Sequence, residues 1–221
     1  MMDVDLFMPS GDGSATFGRR GVRVVTVAVR GTDARVVVVG MRNAHYQPVL
    51  DALGVEAWDR YDADADAVHF ICFADGVPIA SMRTSRDGVG SGEGVSVFRD
   101  LPSLLPDGMT EYLYLSRQLV VPEFRGIGLS AVITHVAAAW WRLRSPLEYV
   151  LGSSRKPTLG NARLLGGTVL AGPVCLGPEK MPILLVGAQL SAVAERTKML
   201  LDRFGWSSAA VGPVVSAETS A

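Results

Sequence analysis

The sequence predicts a mixed α/β fold, with hairpins first and a strand–helix–strand unit later. Three observations carry that expectation. Short β-branched runs bounded by Gly, Asp or Pro recur from Val22 to Val186. Leu129 to Arg144, and about Leu190 to Phe204, repeat apolar residues at helical spacing. A strand–helix–strand order from Glu111 to Leu151 supplies the long crossover that parallel neighbours need.

In chain order, residues 1–20 read as a flexible leader. Val22 to Val29 and Arg35 to Gly40 are β-branched runs split by Gly31-Thr32-Asp33, which predicts two strands. Arg42, His45, Tyr46, Val49, Leu50 and Leu53 then recur at helical spacing, and Gly54 closes the segment. The acidic stretch Asp59 to Asp66 reads as a solvated loop. Val68 to Phe73 is apolar on both faces, as in a sheet interior, and Asp75-Gly76 turns it into a strand over Val77 to Thr84. Residues 85–96 and Pro102 to Gly108 read as loops. Glu111 to Val121 is the most strand-like segment, and Pro122 stops it. The helix Leu129 to Arg144 carries one apolar stripe of Leu129, Val132, Ile133, Val136, Trp140 and Leu143. A strand over Leu147 to Leu151, a short helix over Asn161 to Leu165 and short strands over Val169 to Val174 and Ile183 to Val186 follow. The helix near Leu190 to Phe204 stops at Gly205, leaving 21–205 as a single domain and 206–221 as a tail.

Composition removes several classes of function. The 221 residues hold 21 Lys and Arg against 22 Asp and Glu, a net charge of −1, so no basic excess draws in nucleic acid. With 48% apolar residues the chain has material for a core. Its longest apolar runs are too short to span a bilayer, and no secretory pattern opens it, so a cytoplasmic location is expected. Cys72 and Cys175 form no disulfide framework, and His45, His69 and His135 show no metal spacing. No Gly-x-Ser-x-Gly elbow exists.

The chemistry is concentrated in Val120-Val121-Pro122-Glu123-Phe124-Arg125-Gly126-Ile127-Gly128-Leu129-Ser130, between a strand and a helix. Glycines at such a turn let backbone N–H groups converge on one point, and the helix dipole adds positive potential, which suits a pyrophosphate. The segment lacks the Gly-Lys-Ser/Thr of a P-loop and the three glycines of a dinucleotide fingerprint. It resembles the pyrophosphate loop of the GCN5-related N-acetyltransferases (GNATs), R/Q-x-x-G-x-G/A, with Arg125, Gly128 and Ser130 at the defining positions and Ser in place of Gly or Ala. The resemblance implies a central mixed and twisted sheet, splayed near Val120, with helices on both faces, and a site for coenzyme A or the phosphopantetheine of an acyl carrier protein. It implies Leu119, Val120, Val121, Arg125, Gly126, Ile127, Gly128, Leu129 and Ser130 as donor-binding residues. Asn161, in Asn161-Ala162-Arg163-Leu164-Leu165-Gly166-Gly167, resembles the asparagine that meets the cofactor in that superfamily; the alternative reading is a helix N-cap.

Upstream, Arg42 with Tyr46, Trp58-Asp59-Arg60-Tyr61-Asp62, Arg83, Phe98 and Arg117 follow the order of the acyl-homoserine lactone synthases and N-acyl amino acid synthases. That resemblance covers about residues 36–190. Tyr114 replaces that branch's carboxylate three residues before the strand arginine, and Ala57 stands where it has the acid preceding Asp59. What carries over is N-acylation of an amine rather than lactone formation.

Amide formation from a thioester needs an uncharged amine, an aligned carbonyl and donors for the developing oxyanion. Backbone N–H groups near Leu119 to Val121 are candidates for the last. Glu111, Glu93, Tyr114 and Ser116 are candidate acid–base groups, with Glu111 as base and Tyr114 as acid. Strand alternation places Glu111, Leu113, Leu115 and Arg117 on one face and Tyr112, Tyr114 and Ser116 on the other. Arg83 and Arg117 either pair with Asp59 and Asp62 or shape the acceptor pocket. The expected activity is N-acyl transfer to a small amine without a metal. The alternatives are an acetyl-CoA-dependent N-acetyltransferase of a metabolite, antibiotic or protein amine, and a non-catalytic acyl-CoA-binding module.

Overall fold

The computed structural model describes residues 14–19 and 21–208. A hairpin of β1 (Ser14–Arg19) and β2 (Val22–Arg30) opens it, so the end of the expected leader is sheet; residues 1–13 of that leader lie outside the described residues. Helices α1 (Arg35–His45) and α2 (Gln47–Leu53) follow. The valine run expected as a second strand is thus the first half of α1. Val38, Met41 and Arg42 are its buried stripe, and burying that stripe outweighs the small helix cost of β-branched residues.

A hairpin joins β3 (Val68–Ala74) to β4 (Val77–Gly88) through Asp75 and Gly76, both at positive φ (48° and 77°) as a primed turn requires. The expected loop over 85–96 instead holds the end of β4 and the start of α3 (Glu93–Val97); α4 (Leu101–Leu104) lies in the next connection. Then come β5 (Glu111–Val120), α5 (Leu129–Arg144), β6 (Tyr149–Arg155), α6 (Lys156–Leu164), β7 (Thr168–Leu176), β8 (Met181–Gln189), α7 (Leu190–Phe204) and β9 (Ser207–Ser208). Both long helices fall where their periodicity places them. Leu143, assigned to the buried stripe of α5, is 68% exposed in its last turn.

Among the described residues nine strands form one sheet in the order β7-β8-β6-β5-β4-β3-β2-β1-β9. Every pairing is antiparallel except β5 with β6. Phe70 packs edge-on against Trp140, and Thr84 accepts a 2.8 Å hydrogen bond from the Trp141 indole, so even-numbered residues of β3 and β4 face α5. Helix α7 lies alongside α5. His69 and Arg83 point the other way, toward the 55–67 connection and α3.

Candidate active site

Two irregularities in β5 build the site. Strands β5 and β6 pair only from Leu113–Leu115 to Val150–Gly152; beyond that β6 continues along β8 while β5 continues along β4. The sheet therefore forks after Leu115, earlier than the expected Val120. Gly152 stands at the last paired position, where a Cβ would lie 3.0 Å from the Leu115 carbonyl oxygen. The second irregularity is a bulge: Ser81 pairs with Leu119 but Arg83 with Ser116, so Arg117 and Gln118 together oppose Met82. Arg117 takes the left-handed conformation there, at φ 55°.

The bulge reassigns the faces that alternation predicts. Arg117 turns onto the face of Ser116 and Arg83, where its Nη2 reaches Asp59 Oδ2 at 2.5 Å. Gln118 turns toward α5 and donates to Thr134 Oγ1 at 3.1 Å. Its carbonyl oxygen accepts from Asn161 Nδ2 at 3.2 Å, joining β5 to α6 across the fork. Asn161 lies inside α6, not at its N-cap, which is Arg155, so the capping alternative is set aside. Nothing in the sequence marked Gln118, because a bulge leaves no periodic trace.

The turn after β5 is open. Arg125 and Gly126 are exposed, and Ile127, Gly128 and Ser130 half-buried. Gly126 and Gly128 have φ of 77° and 89°, and Gly128 caps α5 without a side-chain hydrogen bond. Among the described residues no backbone acceptor takes the N–H groups of Gly126, Ile127, Gly128, Leu129 or Ser130, whereas those of Phe124, Arg125 and Ala131 are taken. Five successive donors at a helix N-terminus fit an anion with several oxygens. The Arg125 Nε donates to the Val120 carbonyl at 3.1 Å.

Of the three amides expected to polarise a carbonyl, only one faces the fork. The Val121 N–H donates to the Ile79 carbonyl of β4, and Leu119 shares that side by alternation. The Val120 N–H points away from β4, into the gap left by β6.

On the opposite face lies a charge network without net charge. Arg42 makes a two-pronged pair with Asp62 (2.7 and 3.0 Å) and donates to the Ala57 carbonyl at 2.7 Å. Arg83 donates to Ser116 Oγ (3.0 Å), to Asp59 and Asp62 (2.8 Å each) and to Glu93. Arg117 completes it through Asp59. Asp62 is fully buried, so within the acidic stretch expected as a solvated loop Asp59 and Asp62 turn inward to this network while Asp64 and Asp66 stay exposed. Burial alone would raise the Asp62 carboxyl; the Arg42 and Arg83 guanidinium groups outweigh it and hold the carboxyl below the usual carboxylate range. Arg83 has no exposed surface and every nitrogen engaged, so it orients the acids and Ser116 from beneath them. Sequence reasoning did not single out Asp62 as the hub, and Glu93 reaches it only because α3 folds over β4.

Tyr112 and Tyr114 are fully buried between α3, α4 and the sheet. Burial, then the neighbouring carboxylates, pushes both hydroxyls above the usual phenol range, so both stay protonated. The Tyr112 hydroxyl has no hydrogen-bond partner among the described residues. Glu111 is not brought to the site: it pairs at the surface with Arg86, nine residues along the strand from Val120, or roughly 30 Å.

No protein-family model matches the chain, and neither does any curated protein. Solved structures do. FeeM, an N-acyl amino acid synthase from uncultured soil microbes, superposes with a TM-score of 0.66 over 82% of this chain and 98% of its own, at 14% identity. BjaI, a CoA-dependent acyl-homoserine lactone synthase solved with SAM and isopentyl-CoA, superposes at 0.56 over 80% and 88%, at 16% identity. An acyl-CoA N-acyltransferase from Pseudomonas aeruginosa superposes at 0.53 over 74% and 98%, at 15% identity. The chain has the fold of the GCN5-related acyltransferases.

Proposed function

We propose that the chain is an N-acyltransferase that moves an acyl group from a phosphopantetheine thioester, acyl-CoA or acyl carrier protein, to the amine of a small acceptor. The observation that carries this reading is the run of five N–H groups from Gly126 to Ser130 that no acceptor among the described residues takes, beyond the end of β5 where it has parted from β6. A pyrophosphate seated on those amides sends its pantetheine arm along β5 into the fork. There the Asn161 carbonyl oxygen and the backbone of β5 offer partners to its amides, and Arg125 flanks the anion.

The thioester carbonyl then meets the Val120 N–H, a donor already aimed into the gap and needing no reorganisation when charge develops. The amine nitrogen attacks the carbonyl carbon, the C–N bond forms, and collapse of the tetrahedral intermediate breaks the C–S bond and releases thiolate. The amine's proton leaves through water to Glu93, the carboxylate that α3 brings beside Ser116 and Arg83. The thiolate takes its proton from water, because Tyr114, fully buried and held above the usual phenol range, keeps its own proton and lines the floor of the site. Arg117 and the neutral charge network fix the wall that the acceptor meets.

Mass spectrometry of products from acetyl-CoA, decanoyl-CoA and acyl carrier protein donors with a panel of amino acids tests this. The expected result is an amide product with a long-chain donor, and at least tenfold weaker CoA binding in Arg125→Glu, which places a carboxylate beside the pyrophosphate. Exclusive use of acetyl-CoA removes the long-chain version. Binding of CoA without any amide product reduces the chain to a binding module.

A further inference from the structure

We infer that Arg19 and Trp206 are positioning residues for the donor's pyrophosphate, holding the Ile127 carbonyl from behind and so aiming the Gly128 N–H at the anion. This rests on the acyltransferase reading and extends it to residues far from the loop in sequence. Arg19 Nη1 donates to the Ile127 oxygen at 2.8 Å, and Trp206 Nε1 donates to the same oxygen at 2.7 Å. A carbonyl that accepts two side-chain donors is fixed in direction. In a trans peptide the N–H points opposite to the C=O, so fixing the Ile127 oxygen fixes the Gly128 N–H. That N–H is the middle one of the five unpartnered donors.

The clamp is built from both ends of the described chain. Arg19 closes β1, and Trp206 follows α7; pairing of Gly18 with Ser207 and Phe17 with Ser208 brings them together. Trp206 is 3% exposed, so water does not compete for its N–H. The Phe204 ring closes the same wall, lying 2.6 Å from where a Cβ on Gly128 would stand. Gly128 itself has a left-handed φ of 89° and no side chain to hold it in place, which makes an outside anchor necessary. A cationic donor on the oxygen also polarises the peptide, which strengthens its N–H as a donor.

Trp206→Phe keeps an aromatic ring, though a smaller one, and removes the N–H, and Arg19→Met keeps the stem and removes the charge. The combined variant of the full chain is expected to bind CoA about tenfold more weakly by calorimetry. Its KM for acyl-CoA rises with kcat little changed, while its KM for acyl-pantetheine, which lacks the pyrophosphate, stays at the unaltered value. Arg19→Lys with Trp206 intact recovers most of the affinity. Unchanged CoA affinity in the combined variant overturns the clamp and leaves the acyltransferase reading standing. An equal loss toward acyl-pantetheine also overturns it, because that reports damage to the fold. Absence of CoA binding by the unaltered protein overturns both.

Discussion

At the level of single residues the buried charges carry the most consequence. Asp62 is fully buried against two guanidinium groups, so removing its charge leaves Arg42 and Arg83 short of a counter-charge. Asp62→Asn is expected to lower the unfolding free energy by about 3–5 kcal/mol in urea titrations; a loss below about 1 kcal/mol is incompatible with the network. His69 titrates in a separate window. Burial, the largest influence, lowers its pKa to about 4 while the Asp62 carbonyl partly opposes the shift, so the imidazole is neutral in the folded protein. The unfolded chain takes up that proton near pH 6.5, so stability falls as pH drops from about 6.5 to 4, by at most about 3 kcal/mol. His69→Gln makes that interval shallower, leaving the part due to His135, whose pKa burial also lowers, and the further loss below about pH 4, set by Asp62, remains. The pairing of Arg83 and Arg117 with the 59–62 acids was legible from residue order. The misplacement of Glu111 was avoidable, since strand rise alone puts it far from Val120.

Among the elements, β5 decides what the fold can do, and its bulge is the part that periodicity could not reveal. Alternation placed Arg117 with Leu115; one extra residue in a left-handed conformation sends it to Asp59 and frees Gln118 for α5. Arg117→Gly and Arg117→Val both lose the ion pair, but only valine resists positive φ. The valine variant is expected to be less stable than the glycine variant by about 1–2 kcal/mol in chemical denaturation, with a correspondingly lower kcat; equal stabilities would mean the bulge relaxes at no cost. Helices α5 and α7 were readable because both carry strong apolar periodicity, with Gly128 before α5 and Gly205 after α7. The helix α1 was not, because Val36 to Val39 reads as a strand until Val38, Met41 and Arg42 find partners on the sheet.

For the molecule as a whole, the sheet carries a donor loop at the end of β5 and a charge network on its other side. The loop after β5 supplies unpaired amides and a helix N-terminus, and the face beyond β4 supplies a fixed, neutral set of charges. Residues from both ends of the described chain close the back of the loop through β1 and β9. This closure was invisible in the sequence, where both ends read as leader and tail. The donor loop itself was legible, because glycine spacing and helix position state its chemistry locally.

Amide shifts of isotopically labelled protein during a CoA titration report whether that loop is where the donor binds. Large, saturable shifts at Gly126, Ile127, Gly128, Leu129 and Ser130, together with Val120, are predicted. Saturable CoA binding that leaves those six amides unmoved, or no binding at all, would contradict it.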